Sequence, residues 1–135
     1  MFVLKLVNYT VNGATRAAAL VENQVIDLNV AYEAQLRAEG EYRAKEIAHA
    51  YVPVTTDELY QGGRKSLELA QKAVDFILAN PQLAHQKAIF AREDVKIEAP
   101  VLKPGKIICV GHNYREHILE MGRELPTHPV IFAKF

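Results

Sequence analysis

The chain has 135 residues, half of them hydrophobic and 24% charged, which is the composition of a globular domain and not of a disordered segment. Sixteen basic and sixteen acidic side chains cancel, so no electrostatic footprint for nucleic acid or an anionic membrane surface is present. One cysteine, Cys109, allows no internal disulfide and fits a reducing compartment; no run of about 18 apolar residues and no signal-peptide layout is seen, so a soluble cytoplasmic protein is expected.

In chain order, Phe2 to Tyr9 alternates loosely and reads as a strand. Asn12-Gly13 is a strong hairpin signal, after which Thr15 to Val21 returns as a second strand. Glu22-Asn23 turns the chain again into a third, Gln24 to Leu28, giving a three-stranded meander. Asp27, at the end of that strand, reads as a turn or cap residue. Val30 to Tyr51 is helical in composition, weakened at Gly40, with a mixed charge pattern typical of a solvated face. Thr55-Thr56-Asp57-Glu58 is a capping box that starts a short helix ending at Gly62-Gly63. The spacing around Gly62-Gly63-Arg64-Lys65-Ser66 does not match a phosphate-binding loop.

Arg64 to Asn80 carries the clearest helical period, with Leu67, Ala70, Val74, Ile77 and Leu78 as a stripe closed by Asn80-Pro81. Gln82 to Phe90 has no decisive pattern, whereas Val95 and Ile97 alternate with charges as in a strand. Pro100 and Pro104-Gly105 then punctuate the chain. A boundary is expected there, giving an N-terminal α+β domain over 1–100 and a second, incomplete unit over 101–135.

That second unit opens with four apolar residues, Ile107 to Val110, which read as a buried strand with Cys109 as an inert core thiol. Gly111 breaks the run, and from Tyr114 the period becomes helical up to Gly122, a good C′ residue. Loop residues follow to Pro129, and Val130 to Phe135 reads as a last strand. His117 and Glu120 lie three residues apart and share a helix face. A carboxylate beside an imidazole favours its protonated form and orients it, so the pair can move a proton if a substrate reaches it. By spacing alone the first reading is an ordinary solvated pair on a helix surface, ahead of a catalytic one. Among the other histidines, His49, His85 and His128 have no partner at ligand spacing, and His112 with His117 makes a poor start to a zinc site.

The run Ile107-Ile108-Cys109-Val110-Gly111-His112-Asn113-Tyr114-Arg115-Glu116-His117, then Glu120 and Pro129-Val130-Ile131-Phe132-Ala133-Lys134, resembles the fumarylacetoacetate hydrolase family. Its smaller members carry G-x-N-Y-x-x-H-x-x-E followed by P-x-x-F-x-K. The Val25-Ile26-Asp27-Leu28 strand is similar in layout too. The resemblance implies an α+β chain: a small N-terminal β-meander with helices, then the first elements of a mixed β-roll catalytic domain.

It further implies cleavage of a C–C bond next to a 2-oxo acid, such as an acylpyruvate, on Mg²⁺ or Mn²⁺. Alternatives are decarboxylation of oxaloacetate, hydration or isomerisation of an unsaturated oxo acid, or a non-catalytic fragment. His117 and Glu120 match the family's catalytic dyad, with His117 activating water. Amides around Gly111 to Asn113 are expected to stabilise negative charge. Asn113, Tyr114, Arg115 and Lys134 are candidate substrate contacts, with packing or solvent exposure as their plain alternative. The family's carboxylate metal ligands are expected downstream of residue 135, so this chain alone is expected to be inactive. The apolar edge strand Val130 to Phe135 invites pairing, with the chain's own remainder or with a second subunit, and the resemblance implies a homodimer.

Overall fold

The computed structural model describes residues 4–84 and 88–135. The start of the expected first strand and His85 lie outside the described residues. The fold is α+β, in two compact units, Met1–Leu102 and Lys103–Phe135.

The first unit begins with the expected meander: β1 (Leu6–Val11), β2 (Ala14–Val21) and β3 (Gln24–Asp27). The β1–β2 hairpin turns through Asn12 and Gly13, both at positive φ, +49° and +77°. This is the geometry for which Asn-Gly is selected, since it matches the strands' own twist. Glu22 turns the second hairpin, also at positive φ. Two short strands enlarge the meander: β4 (Ile89–Ala91) pairs with β3, and β5 (Lys96–Glu98) pairs with β1. The order is β4-β3-β2-β1-β5, antiparallel throughout. The sequence pattern identified β5, where Val95 and Ile97 alternate with charges, but not β4, where Ile89-Phe90-Ala91 is apolar throughout and shows no alternation.

Between β3 and β4 lie α1 (Leu28–Ala38), α2 (Ala44–Tyr51), α3 (Thr56–Gln61) and α4 (Gly63–Ala79). The helical stretch expected from Val30 to Tyr51 is split at Gly40. With Gly40 at φ +85°, its N–H bonds to the Arg37 carbonyl and that of Glu41 to the Leu36 carbonyl, a Schellman ending that only a left-handed residue permits. Thr55 caps α3, accepting from the Glu58 N–H and donating its hydroxyl to the Glu58 carboxylate at 2.8 Å. In α4, Ser66, Ala70, Ala73, Val74 and Ile77 face inward.

The strand period divides the core in two. Ala17, Ala19 and Ile26 face the helices and pack with Leu28, Leu59 and the α4 stripe. On the opposite face Tyr9, Ala18 and Val25 make a smaller cluster with Phe90 and Ile97 at its rim. Asn8 ties the unit together: its amide donates to the Thr56 hydroxyl at 3.0 Å and to the Ala99 carbonyl at 2.8 Å.

In the second unit, β6 (Ile107–Gly111) pairs antiparallel with β7 (Val130–Lys134), and α5 (Arg115–Glu120) follows β6. The strand expected at Ile107 to Val110 is therefore present, but its burial is corrected: Ile108 is 71% exposed, Ile107 and Val110 are exposed too, and Cys109 is half-buried. A two-stranded ribbon has two faces and nothing on this chain's described residues covers them fully, so apolar composition did not produce burial. α5 closes as expected, with Gly122 at φ +66° and bonds from Gly122 to Leu119 and from Arg123 to Ile118.

Candidate functional site

The turn from β6 into α5 gathers most of the chemistry. Gly111 packs within 3.4–3.7 Å of Val130 and Phe132 for any added Cβ, so a side chain there is already in contact with β7. His112 next takes the left-handed conformation, φ +49°, uncommon for a residue with a side chain and typical of functional turns. Its Nε2 lies 3.2 Å from Arg123 Nη1, just past the end of α5, so imidazole and guanidinium bracket the helix. The sequence offered no signal for that pairing, because the ten intervening residues fold back only through the Schellman turn at Gly122.

Tyr114 is the N-cap of α5 without a capping side-chain bond, and 72% exposed. Ile118 is the buried residue of the helix. With Ile118 inward, His117 and Glu120 project together: Nδ1 to Oε2 is 3.8 Å, with side chains 67% and 77% exposed. That is ion-pair range but longer than a hydrogen bond, and one water or a small rotation closes it. At this exposure the pair is worth little for stability, so its interest is chemical. Glu120 sits on the Nδ1 side, which favours the Nδ1–H tautomer and leaves Nε2 as the basic nitrogen. Asn113 and Arg115 are exposed beside them. Lys134 is placed differently: it pairs with Ile107, while Gly111 pairs with Val130, so Lys134 stands at the far end of the ribbon from the turn. Four residues of strand separate those ends, about 14 Å. Lys134 makes no hydrogen bond or ion pair with His117 or Glu120.

Among the described residues no three His, Cys, Asp or Glu side chains come together as metal ligands. The residues present do not fit a Mg²⁺ or Mn²⁺ site, which needs several oxygen ligands. No described helix is long and apolar enough to cross a membrane.

The first unit contains a second polar cluster, which the sequence reading reduced to a cap. Asp27 is the N-cap of α1, accepting the Val30 N–H at 2.8 Å as expected of a residue at that junction. It also accepts the Tyr9 hydroxyl at 2.7 Å and Arg16 through Nε at 2.5 Å and Nη2 at 3.2 Å. Burial, then the Asp27 charge, pushes the Tyr9 phenol well above its ordinary range; the hydrogen bond to Asp27 raises Arg16 further. Tyr9, Arg16 and Asp27 come from three adjacent strands on one face, Tyr9 opposite Arg16 and Asp27 opposite Ala18, diagonal to Arg16, information that lies in pairing and not in local pattern.

The strand–turn–helix that carries Gly111, Asn113, Tyr114, His117 and Glu120 thus stands on an α+β chain. The known proteins similar to this chain include a fumarylacetoacetate hydrolase domain-containing protein and several oxaloacetate tautomerases. It is similar to human mitochondrial oxaloacetate tautomerase FAHD2A, 34% identical over 84 residues, which are 62% of this chain and 24% of that protein. It is similar to oxaloacetate tautomerase YisK of Bacillus subtilis, 49% identical over 49 residues, 34% of this chain and 16% of that one. Fumarylacetoacetate hydrolase domain-containing protein 2 of Pongo abelii is 33% identical over 84 residues, 62% and 24% of the two chains. The chain thus spans about a quarter or less of the length of these curated relatives. No protein-family model and no solved structure matches it.

Proposed function

We propose that this chain is part of an enzyme acting on small 2-oxo acids of the oxaloacetate type, with His117 and Glu120 moving a proton at the carbon next to the ketone. The observation that carries the reading is the dyad geometry: Glu120 stands 3.8 Å from Nδ1, and Nε2 of His117 is free on an exposed face. In a keto–enol interconversion, Nε2 takes a proton from the carbon and a proton is delivered to the ketone oxygen; no bond between heavy atoms breaks. Such a reaction asks for one positioned base and its orienting carboxylate, which is what α5 offers. The names of the relatives, oxaloacetate tautomerases, support this chemistry over others.

Hydrolysis of an acylpyruvate is the second reading. The same His117 then takes its proton from water, which attacks the acyl carbonyl; the C–C bond breaks with its electron pair going to pyruvate as the enolate, and the proton held on His117 returns to that carbon. It draws on the family resemblance alone. A dependence on Mg²⁺ or Mn²⁺ is proposed on that same resemblance, with ligands outside these residues, and no step above runs through the ion. The exposed face of the ribbon supports a second subunit as partner, and the single cysteine suits a reducing compartment such as the cytoplasm.

The test is made on the protein as encoded in full. Enol oxaloacetate is followed by loss of its ultraviolet absorbance, and pyruvate release from acylpyruvate and oxaloacetate is measured in parallel. His117→Ala is expected to slow tautomerisation by about 10²–10⁴-fold, the range of a single general base. Wild-type turnover in His117→Ala excludes the dyad; pyruvate release without enol turnover replaces tautomerisation by cleavage.

A further inference from the structure

The face of the first unit's sheet that carries Asp27 also holds an open cavity of about 490 Å³, bounded by Tyr9, Val11, Asn12, Ala14, Arg16, Val30 and Phe90. That is the size of small-molecule pockets, and the wall composition is theirs as well: apolar and aromatic side chains around one charged group, with the uncharged Asn12 at the edge. We propose that this cavity binds a small monocarboxylate with an apolar body.

The argument lies in how the buried charges are partnered. Asp27 is fully buried, and its two oxygens accept four hydrogen bonds: Tyr9 and Arg16 Nε on Oδ2, Arg16 Nη2 and the Val30 amide on Oδ1. No lone pair faces the cavity unoccupied, so the carboxylate cannot serve as a cation ligand. Arg16 is in the opposite condition. It spends Nε and one Nη2 proton on Asp27, and among the described residues no partner is found for Nη1 or the second Nη2 proton. Its side chain is 25% exposed and borders the cavity. The bidentate grip of Asp27 on one edge fixes the plane of the guanidinium, and the free edge then presents a fork that matches a second carboxylate. Fixing it in advance removes most of the entropy that ordering an arginine costs on binding.

The remaining walls select the rest of the ligand. Val11, Ala14, Val30 and the Phe90 and Tyr9 rings offer no further charge, and the Tyr9 hydroxyl is already donated to Asp27. A monocarboxylate adds one charge, which the guanidinium shared with Asp27 must hold; phosphate or a dicarboxylate adds a second, and no further cation lines the cavity. A carboxylate on an aryl or short alkyl body puts its charge on Arg16 and its carbon on the apolar wall. The cavity lies wholly within Met1–Leu102 and uses none of the residues of the β6–α5 turn.

The probe is benzoate, titrated into the full chain and followed by NMR at the Arg16 Nε–H and the amides of Val11, Ala14 and Phe90, with benzyl alcohol as the uncharged control. Saturable shifts with benzoate, at least tenfold weaker with the alcohol, are expected. Ala14→Phe fills the cavity without touching the Asp27 contacts, and Arg16→Lys keeps the charge beside Asp27 but removes the fork; each is expected to weaken benzoate at least tenfold. Equal affinity for benzyl alcohol, unchanged binding in either variant, or saturable shifts confined to residues 103–135 overturn the proposal. His117→Ala is expected to leave this binding unchanged, which separates the cavity from the proposed oxo-acid site.

Discussion

Replacing Asp27 by alanine is expected to be among the most costly changes to the first unit, and the structure allows the cost to be worked out. Three effects are lost together. The cap on α1, the Val30 N–H bond, is worth about 1 kcal/mol. The Tyr9 hydroxyl, buried and donating to a charge at 2.7 Å, is left without its acceptor; bonds of this kind are worth about 1.5–3 kcal/mol. The Arg16 guanidinium loses its counter-charge, and removing one member of a buried pair costs about 3–5 kcal/mol.

These losses share one carboxylate and do not add. Arg16 is a quarter exposed and water reaches it, which holds the ion-pair part at the low end. A total of about 4 kcal/mol follows, a large share of the 5–15 kcal/mol typical of a domain. The chain has no tryptophan, so urea unfolding is followed by far-ultraviolet circular dichroism. With a urea slope of about 1–3 kcal/mol/M, the midpoint should fall by at least ~1 M. The pair Asp27→Leu with Arg16→Met should cost less than Asp27→Ala alone, because it leaves no charge unanswered. A loss under ~0.5 kcal/mol for Asp27→Ala, or strict additivity in the pair, refutes this account of the cluster.

Other outcomes follow from the same geometry. Tyr9 is held protonated by burial and by Asp27, so its folded pKa lies above its unfolded one. Its stabilisation is complete below the ordinary tyrosine pKa of about 10 and is lost as pH rises beyond it, at up to ~1.4 kcal/mol per pH unit for one proton. Urea midpoints at pH 9 and 11 should therefore fall more steeply for wild type than for Tyr9→Phe; parallel falls exclude the assignment. Asn8→Ala strands the Thr56 hydroxyl and the Ala99 carbonyl and should cost about 1–3 kcal/mol in the same assay, against near neutrality for the exposed Lys72→Ala. In the enzyme assay, Glu120→Gln should lower the rate less than His117→Ala, since the carboxylate acts only through the imidazole; an equal or larger loss assigns Glu120 a direct role. Ile108 and Ile131 lie exposed on the paired strands β6 and β7, so Ile108→Lys with Ile131→Lys should reduce self-association in sedimentation; unchanged sedimentation excludes the ribbon as the contact.

Local chemistry determined much of this protein by itself. Asn12-Gly13, the Thr55 cap, the break at Gly40, the α4 stripe and the stop at Gly122 each act within a few residues, through dihedral preference or one hydrogen bond, and each is where the sequence places it. The shared face of His117 and Glu120 belongs to the same class, because helical spacing alone sets it. Three things needed the tertiary structure. The strand β4 carries no alternation that would announce it and forms by pairing with the edge of β3. The apolar run Ile107–Val110 forms its strand but stays exposed, because burial depends on what packs against a ribbon and composition does not specify that. Asp27 reads locally as a cap, and it is one; its larger role arises only when antiparallel register sets Tyr9, from β1, and Arg16, from β2, beside it. Pairing between strands is a long-range choice, made by the whole sheet closing over its core, and no window of neighbouring residues contains it.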